Sequence, residues 1–222
     1  MATTAEVRRC TRLRGEPMRG RAAPERDSMS GTTNEGKEFM HYLSHYESPL
    51  GAMTMAGDGE HLTGLWFDGQ KYDRSTIDDD AVLQPRLPVF TQTAQWLDAY
   101  FEGADPGFTP PISIEGSDFR KMVTSIMLSI PFGATSTYAR IAAEVARRTG
   151  RKQMSAQAVG GAVGHNPITL IVPCHRVLAS DGSLRGYAGG VDRKERLLEM
   201  EGVNMSGLST PPAADDGGGR RE

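Results

Sequence analysis

Near residue 115 the chain changes its rhythm. Upstream, residues 39–67, "FMHYLSHYESPLGAMTMAGDGEHLTGLWF", alternate apolar and polar side chains and are broken by "SPLG" and "GDGE". Period-two alternation with tight turns predicts two or three antiparallel strands. Downstream, apolar residues recur every three or four positions, the mark of helices packed by one face. The Pro-rich stretch "ADPGFTPPI" lies between the two. Strands followed by helices restrict the chain to the α+β class. The expected organisation is a small antiparallel-sheet domain over residues 39–115 and a mostly helical domain over residues 116–203.

Each helix has readable limits. From Pro88, residues Phe90, Ala94, Leu97 and Phe101 share a face, and Gly103 closes the helix. Before it, residues 69–87 read as an acidic, Pro-punctuated loop. Phe119, Met122, Val123, Ile126 and Ile130 predict a helix ending before Pro131. Tyr138 to Arg148 forms the next, with Ile141, Ala142 and Val145 inward. Ser155 can cap a third, "AQAVGGAVG". Asp192 with Glu195 predicts a capping box for a last helix through Met200. Two helices joined by a short turn, the second built of small residues, make a helix-turn-helix pattern.

Residues 1–38 hold few large apolar side chains and are expected to be disordered, as are residues 204–222. No apolar run approaches the ~20 residues of a membrane helix. The Arg-rich N-terminus lacks a secretory apolar core, so the expected compartment is the cytoplasm. The net charge of −3 hides an asymmetry. Residues 39–116 hold 3 Lys+Arg against 12 Asp+Glu, a charge of −9, whereas residues 117–202 hold 12 against 7, a charge of +5. Any phosphate-binding surface belongs on the second part.

Two features of that second part call for chemistry. Gly160, Gly161 and Gly164 fall within one helix, and each interior Gly costs a helix roughly 1 kcal/mol relative to Ala. Either another backbone comes close there, or the helix presses into a narrow nucleic-acid groove. The second feature is "NPITLIVPCHRVLASDGSLRGYAGG", residues 166–190, in which an apolar run leads into Cys174, His175 and Arg176. The only other cysteine is Cys10, far away, so no disulfide framework or zinc finger is expected. A thiolate is the nucleophile, and an apolar setting disfavours it unless a base or cation helps. His175 can serve a sulfur on the preceding residue only if the chain turns there, or through a water.

The sequence Pro-Cys-His-Arg-Val after "GHNP", with "SIPFGATSTYARIA" and "AVGGAVG" before it and "SLRGYAGG" and "RKERLLEMEG" after it, resembles the O6-alkylguanine-DNA alkyltransferases. The resemblance runs from about Phe119 to Gly202, and "YESPLGAMTMAGDGEHLTGLWFDGQ" is similar to the strand-rich first domain of the same family. It implies a ribonuclease-H-like first domain and a winged helix-turn-helix-like second one. It implies direct, irreversible transfer of an alkyl group from O6 of guanine, with O4 of thymine a further candidate, to Cys174. His175 is then the base, acting through a water, and Glu201 polarises it. Asn166 braces the site. Tyr138 donates a proton toward N3 and drives base rotation. Gln157, Ala158, Gly160 and Gly161 belong to the minor-groove helix. The Cys174 and Val177 carbonyls read the exocyclic amine, the Ala188 backbone N–H faces O6, Tyr187, Gly189 and Gly190 shape the pocket loop, and Arg176 belongs to the DNA-binding set.

The chemistry agrees with general principles. Guanine leaves poorly unless a donor helps it. A displacement needs an in-line sulfur at ~3–3.5 Å, and a base inside a duplex must be flipped out to offer O6. This chain departs from the family pattern at Gln157, where many members carry arginine, and at Ala188, where some carry serine. Weaker or more salt-insensitive DNA binding and altered tolerance for analogues are expected. The first domain has no cysteine, so neither metal nor cofactor is expected. The expected partner is duplex DNA bearing O6-alkylguanine, bound by a monomer, with clustering along DNA left open. Three alternatives remain: a lesion-binding relative without chemistry, a helix-turn-helix regulator, and a cysteine hydrolase. The first typically carries tryptophan where Cys174 stands here, the second has no use for Cys174 or Glu201, and the third turns over many times.

Overall fold

The computed structural model describes residues 40–77 and 80–210. The expected tail at 1–38, with Cys10, and residues 211–222 lie outside the described residues.

Three strands form where the alternation places them: β1 (Tyr42–Ser48), β2 (Gly51–Gly57) and β3 (Leu62–Phe67). They pair antiparallel with β2 between its neighbours, from Tyr42↔Gly57 to Ser48↔Gly51 on one side and from Met53↔Phe67 to Gly57↔Leu62 on the other. A two-residue strand, β4 (Val82–Leu83), joins β1 in parallel. The sheet is therefore mixed, not wholly antiparallel as expected. Two residues inside an acidic loop are too short to show a period. The outer edge of β3 is covered as well. The Leu65 N–H donates to the Pro167 carbonyl at 2.8 Å, and the Thr169 N–H donates to the Leu65 carbonyl at 2.9 Å. The first part thus grips the segment that leads to Cys174.

Helix α1 (Pro88–Phe101) opens with proline at its first turn and buries Phe90, Trp96, Leu97 and Tyr100. In the second part, α2 (Asp118–Leu128) is capped by Ser117 and α3 (Tyr138–Thr149) by Thr137. Helix α3 stops at Gly150, which takes the left-handed conformation with φ +68°. Helix α4 (Ala156–Gly164) is capped by Ser155, as expected. Short strands β5 (Ser136–Thr137) and β6 (Val177–Leu178) pair in parallel, setting the start of α3 beside the residues after Cys174. Helix α5 (Val191–Met200) starts at Gly190 with no side-chain cap. The expected Asp192–Glu195 capping box does not form, because Asp192 already lies inside the helix.

One hydrophobic core runs through both parts, from Met53 on β2 to Leu197 on α5. A second, smaller cluster holds Leu178, Leu184 and Leu198, with Met205 and Leu208 packed against it. Residues 204–210 are therefore ordered, in contrast to the expected tail. Their apolar side chains cover a leucine patch, and the Leu184 N–H donates to the Ser209 carbonyl at 3.0 Å. No helix among the described residues is long and apolar enough to cross a membrane.

Candidate active site

The run before Cys174 is not a strand. Leu170 stands at φ +70°, which turns the chain, and Cys174–Arg176 form one turn of 3-10 helix. Asn166 holds this bend from within. Its Oδ1 accepts from the Ile168 N–H at 3.1 Å, while its Nδ2 lies 3.2 Å from the Ile168 carbonyl and 2.8 Å from the Val172 carbonyl. The same Nδ2 lies 3.1 Å from the Cys174 sulfur. The bend answers the geometric objection to adjacent Cys and His. On a helical turn their side chains diverge by about 120° in 3-10 geometry rather than pointing to opposite faces.

His175 is fully buried and faces Glu201, with Nε2 at 2.6 Å from Oε1. A carboxylate only accepts, so Nε2 carries the proton and Nδ1 is the free acceptor. Nδ1 has no hydrogen-bond partner among the described residues. Burial lowers the pKa of His175 below 6.5 against the pull of Glu201, so the imidazole is a neutral base. Glu201 is gripped further. Arg176 donates through Nε to Oε2 at 2.8 Å and through Nη2 to Oε1 at 3.0 Å, and the Gly133 N–H donates to Oε2 at 3.2 Å. Burial alone would raise its pKa, but the hydrogen bonds from His175 and Arg176 and the Arg176 charge bring it to about 2.

Arg176 is where the expectation fails. It was assigned to the DNA-binding set, yet only 8% of it is exposed. Its remaining donor, Nη1, is spent on the Ile130 carbonyl at 2.7 Å. The buried carboxylate needs a counter-charge, and Arg176 is the cation that reaches it.

Two residues without a signal in the sequence complete the cluster. Tyr100, on α1, donates its hydroxyl proton to Glu201 Oε1 at 2.7 Å and lies 3.3 Å from His175 Nε2. Lys194, on α5, is fully buried and donates to the Val177 carbonyl at 2.6 Å and the Arg185 carbonyl at 3.2 Å. Desolvation lowers its pKa to about 8, opposed by Cys174. Burial raises the pKa of the Cys174 thiol, while the Asn166 hydrogen bond and the Lys194 charge pull it down. A helical pattern shows Tyr100 and Lys194 only as two more helix positions, so nothing short of the fold reveals them.

Around the thiol stand the other expected residues. Tyr138 opens α3, half-buried, with its hydroxyl 3.3 Å from the Arg185 carbonyl and 3.4 Å from that of Gly186. Burial, and then Cys174, raise its pKa to about 12. Gly186, at φ +84°, leaves room for that hydroxyl, which would lie 2.4 Å from a β-carbon there. Tyr187 is buried, and desolvation together with Cys174 raises its pKa. Tyr187, Ala188, Gly160 and Gly161 line a cavity of about 380 Å³. Gly189 sits under the Tyr187 ring, where a β-carbon would lie 2.6 Å from a ring carbon. The Val177 carbonyl already accepts from Lys194, leaving it one lone pair.

Helix α4 shows two faces. Val159 and Val163 are buried, while Gln157, Ala158 and Gly161 are exposed. A β-carbon added at Gly161 or Gly164 meets nothing within 4 Å, and at Gly160 only the Tyr138 ring at 3.9 Å. Close approach of another protein backbone therefore does not explain these glycines. Cys174 is a free thiol, and among the described residues no group of three or more His, Cys, Asp or Glu side chains is placed to hold a metal ion.

Comparison with known proteins covers both parts. Residues 118–203 match the profile described as "6-O-methylguanine DNA methyltransferase, DNA binding domain". Residues 41–114 match "6-O-methylguanine DNA methyltransferase, ribonuclease-like domain". The chain is 40% identical over 163 residues to a methylated-DNA–protein-cysteine methyltransferase of Mycobacterium tuberculosis, covering 73% of this chain and 93% of the relative. It is 40% identical over 165 residues to one from Methanosarcina barkeri, covering 74% and 99%. Among solved structures it resembles the Mycobacterium tuberculosis O6-methylguanine methyltransferase with a TM-score of 0.63, at 40% identity over 73% of this chain and 93% of that one. A Mycobacterium tuberculosis structure in complex with DNA matches with a TM-score of 0.62, at 38% identity over 72% and 92%.

Proposed function

This chain belongs to the 6-O-methylguanine DNA methyltransferase family, and we infer that it repairs DNA by moving an alkyl group from O6 of guanine to Cys174. The observation that carries the reading is the Cys174 sulfur, held by Asn166 next in the chain to a buried His175–Glu201 pair. A regulator has no use for such a thiol.

The proposed steps follow from the geometry. Neutral His175 takes the thiol proton at Nδ1 through a bridging water, and ionised Glu201 steadies the imidazolium. Lys194 and Asn166 stabilise the thiolate within a site that otherwise disfavours charge. The sulfur attacks the alkyl carbon, an S–C bond forms, and the C–O6 bond breaks with its electron pair going to guanine. As the C–O6 bond breaks, Tyr138 passes its hydroxyl proton to N3 of the leaving base and is reprotonated from solvent, while the imidazolium of His175 returns the thiol proton to solvent, so the products are neutral guanine and S-alkyl-Cys174. With a pKa of about 12, Tyr138 does not ionise ahead of the reaction. The Ala188 N–H donates to O6, and Tyr187 with Gly189 shapes the loop around it. The exposed face of α4, with Gln157, Ala158 and Gly161, enters the minor groove, where small side chains fit.

The S-alkyl cysteine has no route back to a thiol in this chemistry, so each molecule acts once. We place the protein in the cytoplasm as a monomer on duplex DNA. The test is a titration of O6-methylguanine duplex with purified protein. Repair is expected to plateau at one lesion per protein molecule. Continued turnover beyond that ratio points to a hydrolase, and no repair with intact lesion binding points to a recognition protein.

A further inference from the structure

The cavity against the Tyr187–Ala188 loop is not built by the second part alone. Lys71 and Tyr72, from the loop after β3, line it together with Gly160, Gly161, Gly164 and His165 of the α4 end and with Gly186, Tyr187 and Ala188. The loop is fixed at both ends of this contact. The Lys71 N–H donates to the Ala188 carbonyl at 3.1 Å, which ties it to the residue assigned to O6. The Tyr72 ring stacks on His165, with centroids 4.2 Å apart and planes at 25°. His165 is itself held, its Nδ1 lying 2.7 Å from the Gly161 carbonyl.

Tyr72 adopts this position in spite of its backbone. It stands at φ +64°, a conformation that bulky residues avoid, at about 1–3 kcal/mol each. Tight turns hold it there, with the Asp73 N–H on the Gln70 carbonyl and the Ser75 N–H on the Tyr72 carbonyl. The residue is also 38% exposed, so burial in the core is not what places it. Of the residues lining the cavity, three on α4 are glycines and offer no side chain. Tyr187 is buried beside the thiol and has little freedom. Lys71, Tyr72 and His165 are the large side chains left to bound the space, with the Lys71 ammonium 4.9 Å from the centre of the Tyr72 ring.

We propose that the cavity against the Tyr187–Ala188 loop receives the O6 substituent, and that the Tyr72–His165 stack is its outer wall and sets the size of the substituent this protein takes. The inference rests on the alkyl-acceptor reading above and adds to it a specificity-determining contribution from the first part of the chain. On this proposal a methyl group stops short of the stacked rings and a benzyl group reaches them.

The experiment measures alkylation of Cys174 by mass spectrometry, using duplexes carrying O6-methylguanine or O6-benzylguanine. Wild type, Tyr72→Asn and His165→Ala are compared. Asn tolerates the left-handed conformation, so the first variant removes the ring and keeps the turn. His165→Ala removes the other half of the stack from an exposed position. The benzyl-to-methyl rate ratio is expected to rise roughly tenfold in Tyr72→Asn and in the same direction in His165→Ala, with the methyl rate little changed. An unchanged ratio in both variants, or an equal fall of both rates, overturns the inference. Wild-type protein that gains no alkyl group from either duplex overturns the alkyl-acceptor reading itself, and this inference with it.

Discussion

His175 is poised to act as a neutral base, and this has a consequence in pH. Its pKa lies below 6.5, so it takes up a proton only as the solution becomes more acid than that. Alkylation of Cys174 is therefore expected to be flat between about pH 7 and 8 and to fall only below the ordinary histidine range. Direct ionisation of the thiol to solvent predicts a different profile. The pKa of Cys174 is raised, and the rate then climbs about tenfold per pH unit across the same window. Arg176 makes a separate prediction. Replacing it by Met leaves the Glu201 carboxylate buried without its cation, which costs about 3–5 kcal/mol. A thermal melt is expected to show a large loss of stability. A Tm within a degree or two of wild type would mean that Arg176 is not the carboxylate's counter-charge.

Helix α4 is the element on which fold and function separate. Gly161 has nothing within 4 Å of a notional β-carbon, so Gly161→Leu is expected to leave the melting temperature at or above that of the wild type. The same change puts a branched side chain on the face assigned to the minor groove, and affinity for duplex is expected to fall at least about tenfold. A lower Tm with unchanged affinity reverses the assignment. The elements were legible where capping chemistry is local. Ser155 caps α4, and Gly103, in the left-handed conformation, follows the end of α1. They were misread where tertiary context decides, as at Asp192, which sits inside a helix begun by Gly190, and at β4, too short to carry a period. The site divides in the same way. Cys174, His175, Asn166 and Glu201 could be found because a motif carries them. Arg176 belongs to that motif too, but its inward turn depends on Glu201, 25 residues on. Tyr100 meets Glu201 across 101 residues, and no local pattern reports such a contact.

At the scale of the molecule, the first part of the chain contributes to the site from three directions. The edge of β3 holds the segment before Cys174, Tyr100 of α1 donates to Glu201, and the Lys71–Tyr72 loop lines the cavity. Separating the two parts near residue 115 is therefore expected to lower the rate of transfer even where the second part still binds duplex. Residues 1–28 make no such demand by their composition, and a protein lacking them is expected to repair at the wild-type rate. A large drop in that rate would give the N-terminus a part in the reaction. The central claim is tested most directly on the peptide that contains Cys174. After incubation with a stoichiometric amount of O6-methylguanine duplex, its mass is expected to rise by one CH2 group as the lesion disappears. Loss of the lesion with this peptide unchanged would contradict the account.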